Sequence, residues 1–145
     1  MRIENTRSRG PNWPGGVRHL APAVEVRVDR AALAALRAEV GAAAFDEVFE
    51  TAAFEAAEGF GRIEALLAKE MLASLALAAA DIAAVSCVVG LAGVADIAAD
   101  LASVAEAGDG VAARAIGARL LRVGEESLIH AAELSVELGA RAEEA

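Results

Sequence analysis

From residue 29 onward the apolar positions of the chain recur every three or four residues, which places them on single faces of successive α-helices. Asp29 is a suitable N-cap for a first, short helix in which Leu33, Leu36 and Val40 share a face and which Gly41 ends. A longer helix is predicted from about Ala43 to Lys69. Its stripe is Phe45, Val48, Phe49, Ala52, Ala56, Phe60, Ile63 and Leu67, and Gly59 and Gly61 are points where it can bend. A third helix spans about Leu72 to Val89, with Leu72, Leu75, Ala79, Ile82, Ser86 and Val89 able to face a core. The fourth begins after Gly90, with Val94, Ile97, Leu101 and Val104 inward and Asp96, Asp100, Ser103 and Glu106 outward. Gly108, Asp109 and Gly110 make a turn into a last helix, about Val111 to Ala142. That helix carries Ile116, Leu120, Leu121, Leu128 and Leu138, permits close approach of a neighbour at Gly117 and Gly124, and has a C-terminal part able to project beyond the rest.

Period-two alternation is confined to Val24, Val26 and Val28, so no strand is predicted. Short connections between long amphipathic helices imply antiparallel neighbours. The predicted fold is all-α: an antiparallel up-down four-helix bundle, residues 29–142, with a short leading N-terminal helix. Residues 1–28 read as a flexible basic tail, rich in Gly, Pro and Arg.

Two features depart from a simple bundle. The third helix is apolar on its other side too, through Ala73, Leu77, Ala80, Ala84, Cys87 and Leu91, so it is either surrounded or presents an apolar surface to something else. Phe54, nine positions from Phe45, is half a turn out of phase and falls among Glu47, Glu50 and Glu58. Packing beneath the first helix is its favoured placement, and an anchor for a partner is the other.

Composition narrows the function classes. The net charge of −9 is uneven: residues 1–30 hold six Arg against three acids, and the remainder seven Lys or Arg against nineteen acids. An acidic body lacks the basic footprint that nucleic acid requires. Residues 71–95 have a membrane-spanning length and one charge, but that charge is Asp81 at the centre, where a carboxylate costs about 2.5–3.5 kcal/mol. A buried bundle helix explains the run better, and no membrane association is expected. Cys87 is the single cysteine, so neither an internal disulfide nor a Cys-based zinc site can form, which suits a cytoplasmic location.

Catalytic chemistry has few candidates. His19 lies in the tail, where a solvated imidazole is the simple reading. Glu126, His130, Glu133, Glu137 and Arg141 form one helical stripe that reads as a solvent-facing, salt-bridged face, because a dimetal bundle needs matching ligands on a facing helix and none is present. Cys87 has no cation nearby in sequence to activate it and reads as a small hydrophobe. Phosphate-binding glycine loops are absent. The chain is therefore expected to be no enzyme, with no catalytic residue, cofactor or metal.

The run Ala80-Asp81-Ile82-Ala83-Ala84-Val85-Ser86-Cys87-Val88-Val89-Gly90, followed by a helix closing at Glu106-Ala107-Gly108-Asp109, resembles the histidine-containing phosphotransfer domain family of bacterial phosphorelays. In that family a helix carries His-x-Leu-Lys-Gly-x-Ser-x-x-x-Gly and the next ends near Gly-Asp. Ile82 takes the Leu place, and Ser86 and Gly90 match outright. Val40-Gly41 followed by Phe45, Val48 and Phe49 also resembles the family's first two helices, so the likeness covers Asp29 to about Leu134.

The departures fall on the chemistry. Ala80 stands where the phosphorylated His would be, Ala83 at the Lys and Ala84 at the Gly. A methyl group cannot accept phosphate, and Asp81 projects about 100° away from its neighbour. The resemblance therefore implies docking without transfer: a non-catalytic adaptor or inhibitor that occupies a response-regulator receiver domain or a histidine kinase. The partner-binding residues implied are Ala73, Leu77, Ala80, Ala83, Ala84, Cys87 and Phe54. A structural bundle that self-associates as a homodimer through the same stripe is the alternative.

Overall fold

The computed structural model describes residues 26–144, which form five helices: α1 (Arg30–Val40), α2 (Ala42–Ala68), α3 (Leu72–Val88), α4 (Ala92–Glu106) and α5 (Gly110–Glu144). There is no strand among the described residues. Val26 and Val28 instead pack, half-buried, against the helical core. Among the described residues no helix is long and apolar enough to cross a membrane.

Side-chain caps set the starts of α1 and α5. The Asp29 carboxylate accepts the Ala32 N–H at 3.0 Å to start α1, and Asp109 accepts the Ala112 N–H at 3.0 Å to start α5. The three connections after α2, α3 and α4 share one geometry. In each, the second residue beyond the helix adopts positive φ: Glu70 (56°), Gly90 (74°) and Gly108 (79°). The following N–H then reaches back five residues, Met71 to the Leu66 carbonyl, Leu91 to Ser86 and Asp109 to Val104, at 2.9–3.0 Å. Each of those residues also leads into the next helix.

Glu70 performs this turn without the freedom of glycine, at a cost of about 1–2 kcal/mol for a residue bearing a Cβ. Glu70→Gly is thus expected to raise stability by about 0.5–1 kcal/mol, read as a higher urea midpoint. A midpoint that falls would show that the Glu70 side chain contributes more than its backbone strain removes.

Helix α3 packs against α2 and α4, α4 packs against α5, and α5 returns to α2, with α1 touching both α2 and α5. The core runs between them through Ile63, Leu75, Ile82, Val94, Leu101, Leu120 and Val123. Small residues bring backbones together where α2 meets its neighbours: Gly59 faces the Ile82 side chain, and Gly117 and Gly124 receive Leu67 and Phe60. The close approach expected at Gly117 and Gly124 is present.

Two expectations are corrected. Leu91 does not extend the outer stripe of α3. The helix stops at Val88, the left-handed Gly90 turns the chain, and Leu91 is fully buried in the connection. Nor does the end of α5 project freely over its whole length, because Leu134 and Leu138 pack on the core and Arg30 of α1 pairs with Glu137.

Candidate functional site

The inner positions of α3 are Leu75, Ala78, Ala79, Ile82 and Ser86, all buried. The opposite face is open. Ala73, Leu77, Ala80, Ala84 and Cys87 are exposed along it, Leu77 to 72%, while Ala83 is half-buried and turned toward the core cluster. Val88, 51% exposed, lies on the same face. Of the two placements open to this stripe, it is therefore the apolar surface and not the surrounded helix.

Phe54 is 66% exposed, so the expectation that it packs beneath the first helix is overturned. The reason is length and position. Helix α1 has only 11 residues, and its Leu33 is buried against Gly90. Phe54 stands instead at a cleft of about 360 Å³ between α2 and α3, lined with it by Glu55, Glu58, Arg62, Asp81, Ile82 and Val85. A second hollow of about 370 Å³ continues along the same seam past Glu47, Thr51 and Val88, sharing Glu55 and Val85.

The two helices thus present one surface: an apolar stripe on α3, an aromatic ring on α2, and a seam of carboxylates between them. Asp81 points into that seam, whereas Ala80 is not among its lining residues, as the 100° offset of neighbouring helical positions requires. Sequence reasoning placed Glu58 near Phe54 but missed Glu55, Arg62, Val85 and Val88. The signal was available, since Thr51, Glu55, Glu58 and Arg62 recur at spacings of four, three and four, and Asp81, Val85 and Val88 at four and three.

The polar stripe on α5 lies elsewhere. Glu126, His130 and Glu133 border a shallow groove with Val26 and Ile129, and His130 Nδ1 is 3.8 Å from the Glu133 carboxylate with both side chains substantially exposed. Glu137 of that stripe pairs across to Arg30. An exposed contact of this kind contributes little to stability. His19 falls outside the described residues.

No protein-family model matches the chain, and neither the curated proteins nor the solved structures give a significant match.

Proposed function

We propose that the chain is a cytoplasmic, non-catalytic adaptor or inhibitor of two-component phosphorelay signalling. It resembles a histidine-containing phosphotransfer domain and docks a receiver domain or histidine kinase without accepting phosphate. The observation that carries the reading is the open apolar face of α3 with Ala80 at its centre, where the resemblance expects the phosphorylated His. An antiparallel up-down arrangement of α2 to α5, capped by α1, is the architecture this reading expects. It is supported by the succession of packed neighbours and by the opposite running of numbers where Phe60 meets Gly124 and Leu67 meets Gly117.

Recognition on this surface rests on two forces. Burial of Leu77, Val88 and Phe54 supplies the apolar term, at about 25 cal/mol per Å² removed from water. The small side chains Ala73, Ala80 and Ala84 allow a partner helix to approach closely. The carboxylates of Glu55, Glu58 and Asp81 then favour a partner with basic residues beside its apolar patch. The same charges disfavour a homodimer through this face, since a two-fold contact adds like charge to like.

Binding of the full chain to isolated receiver and kinase domains tests the proposal. Leu77→Asp and Ala84→Glu are expected to weaken binding about tenfold or more, with unchanged unfolding midpoints because both positions are exposed. Ala80→His is expected to gain an acid-labile phosphoryl label from a phosphorylated partner that the native chain does not take up. Absence of any receiver or kinase binding, or affinities unmoved by both substitutions, would sink the reading.

A further inference from the structure

Helix α5 is buried along one side and largely apolar along the other. Val111 and Ile129 each lie nine residues, or two and a half turns, from the buried Leu120, and Val136 lies nine from the buried Ser127. All three therefore point away from the bundle, and they are 72%, 57% and 73% exposed. Between them the same outward line passes through Ala115, Ala118, Arg122, Glu125 and Ala132, every one exposed. From 111 to 136 the intervals alternate four and three without a break, the repeat of a coiled-coil seam, over a length of about 38 Å.

The order of residues along this line selects what covers it. Turned end for end, the line complements itself. With Arg122 of one copy against Glu125 of a second, Val111 falls against Val136 of the second copy, Ala115 against Ala132, and Ala118 against Ile129. Each layer joins apolar to apolar or cation to anion, and Arg119 and Glu126, which flank the seam, fall beside each other in the same register. Sliding by one heptad either way sets Arg122 over Ala118 or Ala132, and Glu125 over Ala115 or Ile129. A parallel pairing sets Arg122 on Arg122 and Glu125 on Glu125. One arrangement alone matches both the charges and the apolar side chains, and its alanines let the two helix backbones approach closely.

We propose that the chain forms a two-fold dimer through the outward face of α5, the two helices antiparallel with Arg122 of each copy opposite Glu125 of the other. None of these residues belongs to α3 or to the α2–α3 seam, so this pairing is distinct from self-association through the α3 stripe and leaves that stripe open. The dimer is read from α5 alone and stands whether or not the α3 face docks a receiver or kinase.

Sedimentation velocity of the full chain, from low micromolar to submillimolar concentration, is expected to show monomer passing to dimer with a Kd in the micromolar range, as suits a narrow interface. Ile129→Glu, which enters each dimer twice, is expected to raise that Kd about a hundredfold while far-ultraviolet circular dichroism and the urea midpoint of the monomer stay unchanged. R122E and E125R each set like charges face to face and are expected to be monomeric alone. Mixed in equal amounts they are expected to associate, and the doubly substituted R122E/E125R chain is expected to dimerise by itself. In a C87S background, A115C mixed with A132C is expected to form an intermolecular disulfide on mild oxidation that neither forms alone.

A chain that stays monomeric at every concentration would overturn the proposal and leave the α5 face to a different occupant. A dimer untouched by Ile129→Glu but lost in L77D would overturn it in favour of the α3 stripe. Charge variants that fail to associate on mixing, or A115C that crosslinks to itself, would overturn the antiparallel register. No receiver or kinase takes part in these measurements, so their failure is distinct from failure of the docking function.

Discussion

Replacing Gly90 with alanine is expected to lower the unfolding free energy by about 2–5 kcal/mol. Gly90 has a φ of 74°, which costs a residue with a Cβ about 1–2 kcal/mol. A Cβ there would also stand 2.8 Å from the Asp29 carbonyl oxygen and 3.4 Å from Leu33 Cγ. The oxygen is backbone and cannot swing aside, and its residue is held by the 2.7 Å hydrogen bond from the Asp29 N–H to the Gly90 carbonyl. Relief therefore requires α1 to shift, and overpacking of this kind costs about 1–3 kcal/mol more. Gly108→Ala separates the two contributions. It has nearly the same φ, 79°, but nothing within 4 Å of the added methyl, so it is expected to lose only the conformational part, about 1–2 kcal/mol. Urea unfolding of both variants decides the matter, and equal losses would mean that the seating of α1 on Gly90 contributes nothing.

That contrast also shows what a sequence discloses about this fold and what it does not. Gly90 and Gly108 announce their turns because glycine is the residue that takes positive φ without strain. The third turn, at Glu70, gives no such signal, and the break between α2 and α3 is legible only from the stripes on either side changing phase. The starts of α1 and α5 come out within a residue or two because the capping side chains Asp29 and Asp109 are local features. Leu91 was misplaced for a related reason: its number continues the helical period of α3, but the chain leaves that helix at Val88.

The candidate surface was half legible. An apolar outer stripe on α3 follows from its composition, but whether such a stripe is covered depends on where the other helices pass, and that is tertiary information. Phe54 illustrates the same limit. Its position opposite the α2 stripe was clear, yet the choice between burial and exposure turned on the reach of α1. The carboxylate seam is not legible in the sequence because its members sit on two helices: Glu55 and Glu58 belong to an ordinary-looking polar edge of α2, and Asp81 is a lone charge on the otherwise apolar α3. Ser127, buried with its hydroxyl unpartnered, had no signature either, since serine is common on exposed helix faces.

The second large effect is expected where α5 lies on α2. Leu67 fits against Gly117 and Phe60 against Gly124, pairs that are seven residues apart on each helix and so recur after two turns. A Cβ at Gly124 would fall 2.5–2.9 Å from three atoms of the Phe60 ring, so the ring edge occupies the space a side chain would need. Gly124→Leu improves helix propensity by somewhat under 1 kcal/mol but forces the helices apart, for an expected net loss of about 3 kcal/mol. Phe60→Ala, at a half-buried position, is expected to lose about 2–3 kcal/mol through the space it vacates. The two together should lose less than the sum of the separate losses, by about 1–3 kcal/mol, because the new leucine enters the volume left by the ring. Urea unfolding of the four proteins of this cycle gives the coupling directly. A double variant whose loss equals the sum within about 0.5 kcal/mol would mean that the ring does not sit in the Gly124 socket, and that α2 and α5 are held together by the remaining contacts along their length.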